Sequence, residues 1–212
     1  MQVVAIDMCS AYRAAVRAHL PHATLVVDHF HVVQLANQMV SAVRRRVTAT
    51  LRGRRVRKDD PEYGIRRRLL RNREDLTDEK FIDMWNRLID LGQPGQDILS
   101  AWIAKEELRA LLALARTGPT RHQISTRLWA FYRWCAESTI PELHRLAATI
   151  EAWWPPIEAF ILTGITNAAS EGINRLIKLE ARNAFGFRNP INQRLRSRCA
   201  SIRAAGRPAR PG

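Results

Sequence analysis

The chain opens with a strand, a helix and a strand, and no later segment reads as a strand. Val3 to Ile6 is a short apolar run rich in β-branched residues, and Thr24 to Val27 is a second. Between them Tyr12, Ala15, Val16, His19 and Leu20 recur at helical spacing, Ser10 offers an N-cap, and Pro21 stops the helix. Apolar runs this short read as buried strands of a parallel sheet, and a helical crossover between them makes a right-handed βαβ unit. Two strands alone leave open edges and bare faces. The expectation is an α/β core truncated at its amino end, with strands that belong before Val3 completing the sheet. Pairing with a second copy is the other way to cover the edge, so a homo-oligomer stays open.

From His29 onward the periodicity is helical. Val32, Val33, Leu35, Ala36, Met39, Val40 and Val43 form the apolar face of a long helix. Arg44 to Arg73 is dense in arginine and broken by Gly53, Pro61 and Gly64. Thr77 caps another helix, with Asp78 and Glu79 in its favourable first turn. Pro94-Gly95 and Gly118-Pro119 separate further helices, Pro155-Pro156 and Gly164 bracket a short apolar one, and Asn167 to Leu179 forms one more. Trp85, Trp102, Trp129, Trp134, Trp153 and Trp154 all fall in this half and are assigned to its core. The Pro/Gly/Arg-rich end reads as a disordered tail.

Charge narrows the partner. The formal net charge is +14, from 34 basic and 20 acidic residues. Such an excess fits a polyanion, either nucleic acid or an anionic membrane surface. No apolar run is long enough to span a bilayer, and the start carries no signal-peptide core, which argues against a membrane protein. Cys9, Cys135 and Cys199 are far apart, with neither metal-ligand spacing nor an even count, as in a reduced cytoplasmic protein.

Two acids stand where chemistry is done in open α/β sheets. Asp7 and Asp28 each follow a strand, so parallel pairing brings both to the carboxyl edge, where such sheets bind ligands. Clustered carboxylates there suit a hard divalent cation; each Asp taken alone reads first as a turn or helix cap. His29 and His31 flank Phe30 at the start of a helix. Zinc would need more ligands, since His19 and His22 lie at the other end of the strand. One histidine orienting a carboxylate or a phosphate, and a half-buried histidine packing beside the strand, are both open readings. Glu171 begins a helix in a strongly basic stretch, and Gly172 beside it implies a close backbone approach.

Two ordered blocks then carry a resemblance. The first is Asp7-Met8, Tyr12, Leu20-Pro21-x-Ala23 and Val26-Val27-Asp28-His29-Phe30-His31-Val32-Val33. The second is Thr166-Asn167, Ser170-Glu171-Gly172-x-Asn174, Ile177-Lys178, Arg182 and Ala184-Phe185-Gly186-Phe187-Arg188-Asn189. In order and separation they resemble the catalytic domain of bacterial insertion-sequence transposases of the ISL type. That resemblance implies a ribonuclease-H-like fold interrupted by a helical insertion. It also implies three acids, Asp, Asp and Glu, holding Mg²⁺ or Mn²⁺ for phosphodiester hydrolysis and strand transfer on DNA. Asp7 matches the second Asp and Glu171 the Glu; the first Asp would precede Met1. Asp28, His29, His31 and Asn174 are accessory by the same match. A DNA-binding remnant without catalysis, a decayed gene fragment, and another nuclease of the same fold are the alternatives.

The resemblance divides the chain into a first core segment at 1–33, a helical insertion at 34–160, a final core segment at 161–200 and a tail at 201–212. Within the insertion, the basic run at 44–73 carries Arg44, Arg45, Arg46, Arg54 and Arg55 as candidate phosphate contacts. Arg175, Lys178, Arg182 and Arg188 form a second candidate group near Glu171. Activity from this chain alone is not expected, because only two of the three acids are present.

Overall fold

The computed structural model describes residues 2–205. Strands β1 (Val3–Ile6) and β2 (Thr24–Val27) pair in parallel, with Val3 opposite Thr24 and Ile6 opposite Val27. The crossover helix α1 (Ser10–His19) is capped one residue earlier than expected, because Cys9 takes the N-cap position and Ser10 the first helical turn. None of its residues is buried: Tyr12 is 57% exposed, and Leu20, just past its end, is 39% exposed. The helix therefore leans on β1 mainly through Val16 rather than sealing the sheet.

Helix α2 (His29–Arg52) is the long helix expected, and it buries Val32, Ala36, Met39, Val40, Val43, Val47 and Thr48. It ends at Gly53, which adopts the left-handed conformation at φ 60°. Two short turns follow, α3 (Pro61–Gly64) and α4 (Arg66–Leu69), then α5 (Asp78–Asp90), whose N-cap Thr77 accepts from the Lys80 amide. Helix α6 (Gln93–Ala113) is the centre of the assembly. It buries Ile98, Ala101, Trp102, Ala104, Leu108 and Leu111, which do not share one face, as befits a helix surrounded by others. It packs on α2, on α5 and on α7 (Arg121–Glu137). Helices α8 (Pro141–Ala152) and α9 (Trp154–Thr163) return the chain to the sheet, where α9 lies on β2.

The punctuation between α5 and α6 differs from the expected Pro94-Gly95 break. Gly92, at φ 65°, makes the turn, while Pro94 and Gly95 lie inside the first turn of α6. A Cβ on Gly95 would lie 1.7 Å from the Leu88 carbonyl oxygen, so the glycine is there for close packing of α6 on α5. The tryptophans also divide. Trp102 and Trp153 are buried and Trp85, Trp134 and Trp154 pack against the core, but Trp129 is 72% exposed on the outer side of α7.

The chain forms two compact units, Met1–Ile165 and Thr166–Gly212. The second contains α10 (Ala168–Asn183) and α11 (Pro190–Ala205), packed on each other. The Asn189 side chain accepts from the Ile191 amide and so opens α11 beside Pro190. Helix α11 runs to Ala205, so 201–205 are helical where a disordered tail was expected, and 206–212 lie outside the described residues. No helix among the described residues is long and apolar enough to cross a membrane.

Candidate active site

Parallel pairing in register brings the two strand ends together. The Asp28 amide donates to the Ile6 carbonyl at 3.0 Å, so Asp7 and Asp28 leave the sheet side by side at its carboxyl edge. Their surroundings differ. The Asp28 side chain is fully buried and caps α2, accepting from the Phe30 amide at 3.3 Å. The Asp7 side chain is 45% exposed.

His31 stands between the two carboxylates. Its Nε2 is 3.5 Å from Asp7 Oδ2, and its Nδ1 is 3.8 Å from Asp28 Oδ2, an oxygen with no hydrogen-bond partner among the described residues. A buried acid thus backs an imidazole whose other edge faces an open acid. Neither contact is a hydrogen bond, and His31 Nδ1 has no hydrogen-bond partner among the described residues, so the ring lies between the two acids as an electrostatic neighbour. His29 behaves differently. Its Nδ1 lies 3.4 Å from Asp28 Oδ1, but its ring stacks on Phe160 of α9, centroids 5.0 Å apart and planes 6° apart. The two histidines therefore divide the two readings open to the sequence: His31 faces the acids, and His29 also packs.

Asp28 has a testable double duty. Asp28→Ala removes the cap of a 24-residue helix and the inner partner of His31. A loss of about 1–2 kcal/mol is expected, with a smaller loss for Asp28→Asn, which can still accept from the Phe30 amide. Urea unfolding of the three proteins checks this; an unchanged midpoint in Asp28→Ala would show that the cap carries no stability.

Glu171 belongs to the second unit. It lies in the first turn of α10, partly exposed. The spacing Glu171, Arg175, Lys178, Arg182 follows steps of four, three and four, which places an acid and three exposed cations along one stripe of the helix. Asn174 is exposed on the adjacent face, and Arg188 is exposed beyond the helix end. The close approach expected at Gly172 is not found: nothing among the described residues lies within 4 Å of where its Cβ would be. Among the described residues, no group of three His, Cys, Asp or Glu is arranged to hold a metal ion. Cys135 offers no thiolate, since burial pushes its pKa up to about 12.

The basic run is largely folded into the first unit. Arg46 forms a bidentate pair with the buried Glu142 of α8, at 2.7 and 3.0 Å. Arg52 pairs with the buried Glu62, and Arg54 with the buried Asp60. The Arg54 guanidinium, with the Arg57 amide, holds the Asp60 carboxyl far below the usual carboxylate range. Arg44 is half-buried, and desolvation lowers its pKa. Arg45 and Arg55 are exposed. These acid partners lie 96, 10 and 6 residues away from their arginines, and a run of like charges does not disclose such pairings.

Comparison with known proteins identifies the family. The family model described as "Transposase", that of the ISL3-type DDE enzymes, matches residues 1–197, and the chain belongs to that family. The transposase of insertion sequence IS1001 from Bordetella parapertussis is 30% identical over 195 residues, covering 89% of this chain and 45% of that protein. The transposase of IS1557 from Mycobacterium tuberculosis is 29% identical over 223 aligned residues, covering 99% of this chain and 49% of that protein. The chain thus spans about half the length of the curated relatives it matches. No solved structure matches it.

Proposed function

We propose that this chain supplies Asp7 and Glu171 to the metal centre of a DNA transposase, in a ribonuclease-H-like core interrupted by the helical segment 34–160. The observation that carries the reading is the asymmetric strand edge, where an open Asp7 is backed by His31 and by the buried Asp28. Family membership and the motif around Glu171 support it. The donor chemistry fits Mg²⁺ or Mn²⁺, hard cations that take carboxylate oxygens. Held by Asp7 and Glu171, such an ion would supply the activation of water or of a DNA 3′-hydroxyl for in-line attack on a phosphodiester. The chain's own residues do the rest. Asp28 lies behind His31, and His31 stands beside the Asp7 carboxylate as its electrostatic neighbour. The stripe Arg175, Lys178 and Arg182, with Arg188, is suited to grip the DNA backbone beside Glu171, and Arg45 and Arg55 offer further phosphate contacts. Arg46 and Arg54 serve the fold through Glu142 and Asp60.

Excision assays in Mg²⁺ test the reading. The substrate is DNA carrying the ends of a matched insertion element, with unrelated duplex as the comparison. The 212-residue chain alone is expected not to excise, because it supplies two acids where the family chemistry uses three. Adding the remaining half of a relative in trans is expected to give cutting that depends on the element ends. Cutting of unrelated duplex with equal efficiency would instead mark a general nuclease. Efficient excision by the chain alone, abolished in Asp28→Ala, would show that the acids have been misassigned.

A further inference from the structure

The geometry points to Phe185 as a stacking element that engages an unpaired base of DNA, held out at the turn between α10 and α11. This rests on the reading that the chain binds DNA. The turn closes α10 with a Schellman motif: the Gly186 amide donates to the Ala181 carbonyl at 2.8 Å and the Phe185 amide to the Arg182 carbonyl at 3.0 Å. In that motif the residue after the cap adopts the left-handed conformation and is usually glycine. Here it is Phe185, at φ 51°, and the glycine comes one residue later, at φ 91°. Phe185 is the only residue other than glycine with positive φ among the described residues. A bulky side chain in that region is strained. Strain of this kind persists where the surroundings enforce it, and it clusters at functional sites.

Burial among the described residues does not repay it. The Phe185 side chain is 101% exposed, so burial contributes nothing, and a glycine at 185 as well as at 186 would remove the strain. A partner is the remaining place for the compensation. Charge selects which partner. Arg182 and Arg188 flank the turn, Arg194, Arg196 and Arg198 follow on α11, and no acid occurs after Glu180. The Arg196 guanidinium lies 6.0 Å from the neighbouring Phe187 ring. An open aromatic ring among cations without acids is the arrangement by which proteins stack on bases while gripping the backbone. Helix α11 also exposes Ile191, Leu195 and Ile202, so it is the one-sided charge that favours a nucleic-acid partner over a protein surface.

The test compares two duplexes of equal length, one fully paired and one with a single unpaired 2-aminopurine, using the full chain and its variants. Wild type is expected to bind the bulged duplex about tenfold or more tightly, with a change in 2-aminopurine fluorescence on stacking. Phe185→Gly is expected to lose that preference, keep its affinity for paired duplex and its salt slope, and melt no lower than wild type. Phe185→Trp is expected to keep the preference. Equal binding of both duplexes by wild type, or an undiminished preference in Phe185→Gly, would overturn the inference and leave DNA binding standing. No binding of either duplex would overturn both. Dissociation of an oligomer by Phe185→Gly would assign the ring to a protein interface and likewise overturn it.

Discussion

Lys105→Ala is expected to lower the stability of the first unit by about 3–5 kcal/mol, a large share of what a domain possesses. The Lys105 side chain is fully buried in the middle of α6. Its ammonium donates to the Leu69 carbonyl at 2.9 Å and the Arg71 carbonyl at 2.5 Å, and pairs with Glu106 Oε1 at 2.9 Å. It therefore fastens the end of α4, with the residues just after it, to the central helix. Truncation leaves carbonyls buried without a donor and opens a cavity where the stem packs. Lys105→Met separates these effects: it fills the space and omits the donor, so an intermediate loss is expected. Thermal melts check both, at about 2–4 °C per kcal/mol for a unit of this size. A loss below about 1 kcal/mol in Lys105→Ala would show that the ammonium is dispensable. A pH dependence follows as well. Burial pushes the Lys105 pKa below its ordinary value, so the unfolded chain holds that proton more tightly. The contribution of this group to stability therefore rises as pH climbs toward the ordinary lysine range.

Asp7→Asn is expected to weaken Mn²⁺ binding by about a hundredfold or more while leaving the melting temperature almost unchanged. The substitution removes the charge of a proposed ligand, and even outer partners of metal ligands cost about 10–100-fold in affinity when lost. The side chain is 45% exposed and takes no part in the core, so the fold has little to lose. A melting temperature that fell with the affinity would instead mark Asp7 as a structural residue. Enhancement of water-proton relaxation by bound Mn²⁺ reads the affinity directly.

Much of the architecture was legible because period and punctuation agreed. The strands ending at Asp7 and Asp28, the apolar face of α2, the Thr77 cap and the helix around Glu171 all follow from local pattern. What escaped was decided by partners distant in sequence. Crossover helix α1 has the spacing of a buried helix, yet Tyr12 and Leu20 stay exposed, because spacing sets a face and not what covers it. Trp129 carries no mark that separates it from the buried Trp102 and Trp153. Gly95 looks like a helix breaker, but the Leu88 carbonyl makes it a packing residue. Arg46 and Arg54 read as phosphate contacts in a cationic run until Glu142 and Asp60 are seen beside them. At the candidate site, the positions of Asp7 and Asp28 were foreseeable from the strand ends. The difference between them was not, since the burial of Asp28 depends on the packing around α2. For Phe185 no signal was present: Phe-Gly at the end of a helix reads as an ordinary glycine stop, and only the backbone shows that both residues take positive φ.

The central claim is that Asp7 and Glu171 serve one metal ion. A double-mutant cycle in Mn²⁺ affinity tests it, with wild type, Asp7→Asn, Glu171→Gln and the double variant as full chains. If both carboxylates hold the same ion, each single substitution removes most of the binding and the double variant is little worse than either alone. Losses that multiply in the double variant, or full Mn²⁺ affinity in Glu171→Gln, would place the two acids at separate sites and contradict the account.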